Sequence, residues 1–82
     1  MTATVTVRYF AAAAEAAGVG TEALAATTVG QLRSVMVATH GPDLERVLTR
    51  CSLLAGGVRV AADETPLPHG TTVDVLPPFA GG

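Results

Sequence analysis

The last four residues of the chain, Phe79-Ala80-Gly81-Gly82, carry its most accessible reactive group. Beyond Phe79 the side chains shrink to a methyl group and then to hydrogen, so the backbone and its carboxylate can enter a channel that ordinary side chains would block. A carboxylate is a poor electrophile until phosphoryl activation supplies a leaving group. This pattern predicts that another protein encloses the tail and modifies the Gly82 carboxylate. A frayed glycine-rich terminus is the alternative for the tail taken alone.

Two consecutive prolines, Pro77 and Pro78, precede the tail. They fix two φ angles and remove two backbone donors, which predicts an extended exit from the sheet and a smaller entropy loss when the tail binds. Leu76 is apolar but lies on the face of its strand opposite Val73 and Val75. We therefore interpret Leu76 and Phe79 as anchors for a partner protein, since apolar and aromatic side chains dominate such contacts. The alternative is that Leu76 packs under a loop.

The remaining reactive side chains are isolated. Cys51 follows an apolar helical face, which favours a small buried hydrophobic role over a sulfur-relay thiol. His40 and His69 look like helix-end and loop residues, and two separate histidines do not make a metal site. Arg8 and Arg59 are predicted to share the outer face of the sheet, where they either meet an acidic partner or remain solvated.

Composition restricts the function further. The chain has 82 residues, of which 49% are hydrophobic and 15% are charged, so one small globular domain is expected. A formal charge of −2 argues against nucleic acid and against an anionic membrane surface as partners. No apolar run approaches the roughly 18–20 residues that span a bilayer, and we expect a cytoplasmic protein. All five basic residues are arginine.

Alternating apolar residues predict the first and last strands. Val5, Val7 and Tyr9 share one face of a strand over Thr4–Tyr9, and Val73 and Val75 do so over 71–76. Two glycines between short apolar runs, Gly56-Gly57, predict a tight hairpin of strands 52–55 and 58–61. A further strand is expected over 21–26.

Helix signals lie between these strands. An alanine-rich run over 11–17 predicts a short helix ending at Gly18. Thr28 is the predicted N-cap of the main helix, with Gln31 reaching back to the Thr28 amide in a capping box. Its apolar stripe is Leu32, Val35, Met36 and Thr39, and Gly41-Pro42 ends it. A short helix is expected over 43–50.

The order of these elements predicts an α+β fold of the ubiquitin-like β-grasp kind, with a mixed sheet of four to five strands over one main helix. The domain is expected to span 1–76, followed by a C-terminal Gly-Gly tail over 77–82. There is no visible nucleophile–base pair, so an enzyme with its own active site is disfavoured.

Four segments together resemble the small subunit of molybdopterin synthase and the wider family of sulfur carriers that includes the one of thiamin biosynthesis. They are Val5-Thr6-Val7-Arg8-Tyr9-Phe10-Ala11, Thr28-Val29-Gly30-Gln31-Leu32, Pro66-Leu67-Pro68-His69-Gly70 and Pro77-Pro78-Phe79-Ala80-Gly81-Gly82. Two features depart from that family's pattern. Phe79 stands where a small aliphatic residue is common, and the first helix is almost entirely alanine.

The resemblance implies a specific chemistry. The Gly82 carboxylate would be adenylated by an adenylyltransferase resembling the activating enzymes of the ubiquitin system, then converted to a thiocarboxylate with sulfur from a sulfurtransferase. The tail from Pro77 to Gly81 would insert into the large subunit of molybdopterin synthase and donate sulfur to a pterin precursor. This chain would be a non-catalytic carrier subunit that binds no cofactor or metal itself, with ATP used by the activating partner.

Two alternatives remain open at this point. One is a carrier for another sulfur product, such as thiazole or cysteine, although Pro77-Pro78 favours the molybdopterin pathway. The other, from a different class, is a ubiquitin-like protein modifier or binding module whose Gly-Gly end is used for conjugation.

Overall fold

The computed structural model describes residues 3–78 and shows five strands and three helices in that range. In chain order the elements are β1 (Thr4–Tyr9), α1 (Ala12–Ala17), β2 (Thr21–Ala25), α2 (Val29–His40), α3 (Pro42–Leu48), β3 (Ser52–Ala55), β4 (Val58–Val60) and β5 (Thr72–Leu76). The strands form one sheet in the order β2-β1-β5-β3-β4. β1 and β5 are parallel at its centre, and the other neighbours are antiparallel. A mixed five-stranded sheet with one long helix is the predicted β-grasp arrangement.

The core lies between the inner face of the sheet and the helices. The alternation in β1 and β5 is confirmed, because Val5, Val7, Val73 and Val75 are all fully buried. Leu32 and Met36 of α2 and Leu44 of α3 are also fully buried in the same cluster. The opposite, outer face of the sheet carries the intervening residues of each strand.

Helix α2 begins at the predicted cap, but its capping box differs in detail. The Thr28 hydroxyl accepts a hydrogen bond from the Gln31 amide at 3.1 Å, as expected. The Gln31 side chain, however, accepts from the Thr27 amide at 2.5 Å and from the Thr27 hydroxyl at 2.9 Å, instead of from the Thr28 amide. The box therefore closes one residue earlier than predicted.

The buried stripe of α2 is narrower than predicted. Val35 is half-buried and Thr39 is exposed, with its hydroxyl donating to the Val35 carbonyl at 2.7 Å. Arg33, which is not part of the predicted stripe, is also half-buried, because α3 packs beside α2. Periodicity identified the side of the helix that faces the sheet but could not show what a second helix covers.

Glycines end or turn the chain at the positions expected. Gly18, with φ of 78°, ends α1, and Gly41, with φ of 89°, ends α2 and donates its amide to the Val37 carbonyl at 2.8 Å. Gly56 and Gly57 have φ of 57° and 84°, and two such angles in succession are what a two-residue hairpin needs.

Several elements meet at one end of the sheet. β1 and β5 are parallel and both finish there, and the start of β3 lies beside the end of β5 because Ser52 pairs with Leu76. His40, the last residue of α2, contacts Tyr9, the last residue of β1. The segment after Leu76 therefore leaves the sheet at the end that also holds the end of α2 and the start of β3.

Candidate functional site

The root of the tail is held by the register of β5. Leu76 pairs with Ser52, and Val75 pairs with both Leu53 and Tyr9. Pro77 is half-buried and Pro78 is exposed, and the strand ends at Leu76. The division into a domain over 1–76 and a tail over 77–82 stays a prediction. Phe79, Ala80, Gly81 and Gly82 lie outside the described residues, so their insertion into a partner and the modification of Gly82 stay predictions.

One row of residues crosses four strands of the outer face next to this root. Arg8 of β1 is the cross-strand partner of Asp74 in β5. Asp74 in turn pairs with Leu54 of β3, and Leu54 pairs with Arg59 of β4. Leu76 lies on the same face, two residues beyond Asp74. We call Arg8, Asp74, Leu54, Arg59 and Leu76 the tail-root surface.

Arg8 forms an ion pair within the chain. Its Nε donates to one Asp74 carboxylate oxygen at 2.6 Å, and its terminal nitrogen donates to the other at 2.9 Å. The hydrogen bond to Asp74, followed by the Coulomb attraction, raises the pKa of the Arg8 guanidinium. Its guanidinium carbon also lies 5.8 Å from the centre of the Phe10 ring. The charge of Arg8 is therefore balanced locally, which leaves it less available to an acidic partner than the sequence suggested.

Arg59 differs from Arg8 in this respect. It is exposed and forms no ion pair with any residue between 3 and 78. The predicted placement of Arg8 and Arg59 on one face holds, with two strands between theirs. Arg59 is the cation of the tail-root surface that remains open to a partner's acidic group.

Leu54 was not identified from the sequence. Leu53 and Leu54 are consecutive apolar residues in a four-residue strand, so alternation alone does not say which one faces out. Pairing with Asp74 places Leu54 on the outer face, half-buried, whereas Leu53 is in the core. Leu54 and Leu76 are diagonal neighbours across β3 and β5, a separation that lets side chains interact. They form the apolar part of the tail-root surface.

A polar cluster fixes the end of α2 to β1 and β2 near the same end of the sheet. The Tyr9 hydroxyl donates to a Glu22 carboxylate oxygen at 2.7 Å, and His40 Nε2 lies 2.5 Å from the same oxygen. The rings of Tyr9 and His40 meet edge to face with centroids 5.9 Å apart. Burial, followed by the hydrogen bond to Glu22, raises the pKa of Tyr9 far above its ordinary value. His40 thus joins a structural network through Glu22.

Cys51 and His69 are also engaged within the domain. The Cys51 thiol is half-buried, lies 3.2 Å from the Val47 carbonyl to which it donates, and has a pKa that burial raises. A raised pKa keeps the thiol protonated and poorly nucleophilic, which favours packing over sulfur relay. His69 Nδ1 accepts a hydrogen bond from the Thr4 amide at 3.1 Å. Both side chains help to hold the domain together.

Two further findings narrow the possible chemistry. Within residues 3–78, no three His, Cys, Asp or Glu side chains are grouped so that they could hold a metal ion. None of the helices in that range is long and apolar enough to cross a membrane. Among the described residues, the tail-root surface offers an apolar pair and an arginine without an ion pair, which suits docking to another protein.

The chain is similar to known proteins over nearly its whole length. The model of the ThiS family matches residues 7–82, nearly the whole chain including the tail. The crystal structure of SAMP1 from Haloferax volcanii is similar at a TM-score of 0.80 and 29% identity, covering 96% of this chain and 99% of that one. No curated protein sequence matches the chain significantly.

Two structures from molybdopterin systems share the fold at lower identity. A putative molybdopterin converting factor subunit 1 from Pyrococcus furiosus has a TM-score of 0.79 at 23% identity, covering 94% of this chain and 99% of its own. The complex of subunits 1 and 2 of the molybdopterin-converting factor from Helicobacter pylori contains a chain with a TM-score of 0.72 at 24% identity, covering 96% and 99%. Because the family model covers the chain from β1 to its last residue, this protein belongs to the ThiS family of ubiquitin-like sulfur carriers.

Proposed function

We propose that this protein carries sulfur for molybdopterin synthesis as the small subunit of a molybdopterin synthase. The observation that carries the proposal is the family match extending through residue 82, which makes the Gly-Gly end part of the shared pattern. Pro77-Pro78 before the tail favours the molybdopterin pathway over the thiamin pathway. The fold shared with molybdopterin converting factor subunit 1 is consistent with that choice.

The chemistry starts at the Gly82 carboxylate. An activating enzyme transfers the adenylyl group of ATP to this carboxylate and releases pyrophosphate, so that AMP becomes the leaving group. The outer sulfur of a persulfide on a sulfurtransferase then displaces AMP to form an acyl disulfide. A thiol reduces this acyl disulfide, becomes part of a new disulfide and releases the thiocarboxylate. This chain supplies the acyl group, and its partners supply the catalysis. In this proposal ATP binds the activating enzyme, and the carrier itself binds no cofactor.

The tail-root surface is the proposed contact with the large subunit. Leu54 and Leu76 supply apolar contact next to the exit of the tail, and Arg59 supplies a charge that an acidic side chain can meet. In the Helicobacter pylori assembly, subunit 1 is in complex with subunit 2. We infer an equivalent large partner here, with Phe79 and the residues after it entering its active site.

Intact mass of the protein isolated from its own cells tests the carrier chemistry. A sulfur carrier shows a form in which one terminal oxygen is replaced by sulfur. Deleting Gly82 should abolish sulfur transfer while the melting temperature stays unchanged, because the residue follows the last strand. An unchanged transfer rate in that variant would refute the mechanism. A matched control, Val58→Ala, alters an exposed residue of β4 and should transfer sulfur normally.

A second function is favoured by one observation. The identity to SAMP1, whose name is small archaeal modifier protein 1, reaches 29% over nearly the full length of both chains. A modifier would form a bond between the Gly82 carboxylate and an amine of another protein. The same mass measurement separates the two functions, because a modifier appears as a protein-sized adduct. A carrier for thiazole or cysteine synthesis is distinguished from a molybdopterin carrier by which sulfur product is lost when the carrier is absent.

A further inference from the structure

Helices α2 and α3 enclose an open groove of about 490 Å³. Its floor is apolar, because Val37 of α2 is half-buried and Leu48 of α3 is buried. The rim consists of small exposed side chains, which are Ser34, Ala38 and Thr49. The helices cover the inner face of the sheet, whereas the tail-root surface lies on the outer face. A molecule in the groove would therefore leave the tail-root surface free.

The segment that forms this groove is the basic part of an acidic chain. Residues 29–50 carry three arginines and two carboxylates, a net charge of +1, whereas the other residues carry two arginines and five carboxylates, a net charge of −3. Arg46 and Arg50 line a second hollow that adjoins the groove at Thr49. Arg46 forms an ion pair with Asp43, but Arg50 is exposed and has no ion pair among residues 3–78. An acidic segment of another protein is therefore attracted to this side of the domain.

Arg33 is the charged side chain of the groove that lacks an acceptor. Its Nε is buried and has no hydrogen-bond partner within residues 3–78, and its guanidinium forms no ion pair there. A buried donor without an acceptor is costly. Turning the guanidinium toward an incoming carboxylate would break no ion pair and would supply the missing acceptor. A carboxylate is also the group that the planar guanidinium binds best.

We propose that the α2–α3 groove binds an acidic segment of a partner protein, in which an apolar side chain covers Val37 and Leu48 and a neighbouring carboxylate binds Arg33. Glu45 lines the groove from the opposite helix and repels carboxylates on that side. It therefore restricts the acidic group of the partner to the side of α2. Arg50 attracts further carboxylates of the same segment from outside the groove.

A second copy of this chain matches the groove less well. Within residues 3–78 the large apolar side chains that are exposed are Phe10, Val19 and Val58. None of them is next to an exposed carboxylate in the sequence, and Val58 precedes a cation, Arg59. The described surface of the chain therefore lacks the pairing of an exposed large apolar side chain with a neighbouring carboxylate that the groove fits.

The groove has a consequence for the proposed carrier function, and this consequence rests on that function. An activating enzyme and a large subunit both need the tail, so they compete for it. A partner bound in the groove does not compete, because it occupies the opposite side of the domain. It keeps the carrier at a high local concentration while one tail-binding partner replaces another.

Amide NMR spectra of the full chain, titrated with the peptide acetyl-Glu-Leu-Leu-Glu-amide, test the proposal. This probe places an apolar side chain beside a carboxylate and has no terminal charges. We expect saturable shifts of the Val37, Ala38 and Thr49 amide signals. The neutral peptide acetyl-Gln-Leu-Leu-Gln-amide should bind about tenfold more weakly, because it lacks the charge-assisted hydrogen bond to Arg33. Added salt should weaken binding of the acidic peptide alone.

Variants of the groove charges have opposite expected effects. Arg33→Gln should weaken binding of the acidic peptide about tenfold, and Arg33→Lys should restore only part of the loss, because lysine keeps the charge without the planar fork. Glu45→Gln should strengthen binding about two- to threefold. Arg59→Gln removes one charge from the outer face and should bind the peptide like the unchanged chain. Thermal unfolding of each variant shows whether the domain is intact.

Four outcomes would overturn the proposal. Equal binding of the acidic and neutral peptides, or an unchanged affinity in Arg33→Gln, would remove the carboxylate contact. Shifts confined to Leu54 and its neighbours would place the peptide on the tail-root surface. Groove signals that move when the chain alone is diluted would assign the groove to a second copy. No saturable shift of these signals would leave the groove without an acidic ligand. None of these outcomes bears on sulfur transfer, which the Gly82 deletion tests separately.

Discussion

Leu54 and Leu76 are the side chains on which docking of a large partner is expected to depend. They are half-buried diagonal neighbours on the outer face, next to the exit of the tail. Beside them, the bidentate contact of Arg8 with Asp74 joins β1 to β5 and holds the polar part of this surface in one arrangement. A partner therefore meets a prearranged surface, which lowers the entropy lost on binding.

Leu54→Ala and Leu76→Ala should each weaken binding to the large subunit about tenfold, the loss of about 1.4 kcal/mol that marks the few residues on which an interface depends. Titration calorimetry of each variant against the purified large subunit measures this. Val58→Ala removes a more exposed apolar residue away from the outer face and should bind like the unchanged protein. Equal losses in all three variants would exclude the tail-root surface.

Position 30 requires glycine because the loop after β4 packs closely against the start of α2. A Cβ at this position would lie 2.8 Å from the Asp63 Cβ and 3.2 Å from the Asp63 carbonyl oxygen, while the Gly30 amide donates to that oxygen at 2.9 Å. Gly30→Ala should lower the free energy of unfolding by about 1–3 kcal/mol, more than the helix gains from alanine. Urea unfolding checks this value.

Gly20→Ala is the matched control for that substitution. A Cβ at Gly20 meets no atom within 4 Å, so this variant should be neutral or slightly stabilising. If both alanine variants unfold at the same urea concentration, close packing of the Asp63 loop on α2 is not what selects glycine at position 30.

At the level of elements, the contact between the end of α2 and the edge of the sheet depends on the cluster of Tyr9, Glu22 and His40. Tyr9 is the only tyrosine in the chain, and its hydroxyl is bound to a carboxylate that would repel a phenolate. Burial and this hydrogen bond both favour the protonated form. We therefore expect the hydrogen bonds of this cluster to break when Tyr9 loses its proton at high pH.

The direction in which pH changes the free energy of unfolding follows from the raised pKa of Tyr9. Its stabilising effect is complete below the unfolded value of 10.0 and is lost progressively as pH rises above it. We expect the free energy of unfolding to fall above pH 10 with a contribution of up to about 1.4 kcal/mol per pH unit from this group. Phenolate absorbance should appear together with unfolding.

Tyr9→Phe provides the control, since it keeps the ring and removes the ionisable group. Its stability should be lower near neutral pH, by about 1 kcal/mol for the lost hydrogen bond, and flatter above pH 10. Phenolate absorbance that rises near pH 10 in the folded protein would contradict the inference.

For the whole molecule, the choice of basic residues limits self-conjugation. The chain contains five arginines and no lysine, so no side-chain amine of this sequence can accept the activated Gly82 of another copy. Guanidinium groups remain protonated and do not compete. We expect no side-chain-linked multimers when the protein is incubated with ATP and its activating enzyme.

Arg59→Lys introduces an exposed amine without removing an ion pair found within residues 3–78, and it should produce such multimers if the activated end meets that surface. Denaturing gels and peptide mass mapping distinguish amide bonds from thiol-cleavable adducts on Cys51. Multimers of the unchanged protein joined through a side chain would contradict the expectation.

The sequence by itself determined which residues face the core in β1 and β5 and that glycines end α1 and α2. These features depend on local periodicity, glycine and proline, which act over a few residues. The tertiary structure alone decided that Arg8 binds Asp74, that Leu54 faces outward and that α3 half-buries Arg33. Arg8 and Asp74 are 66 positions apart, and their contact follows from the order of strands in the sheet, which local patterns do not encode.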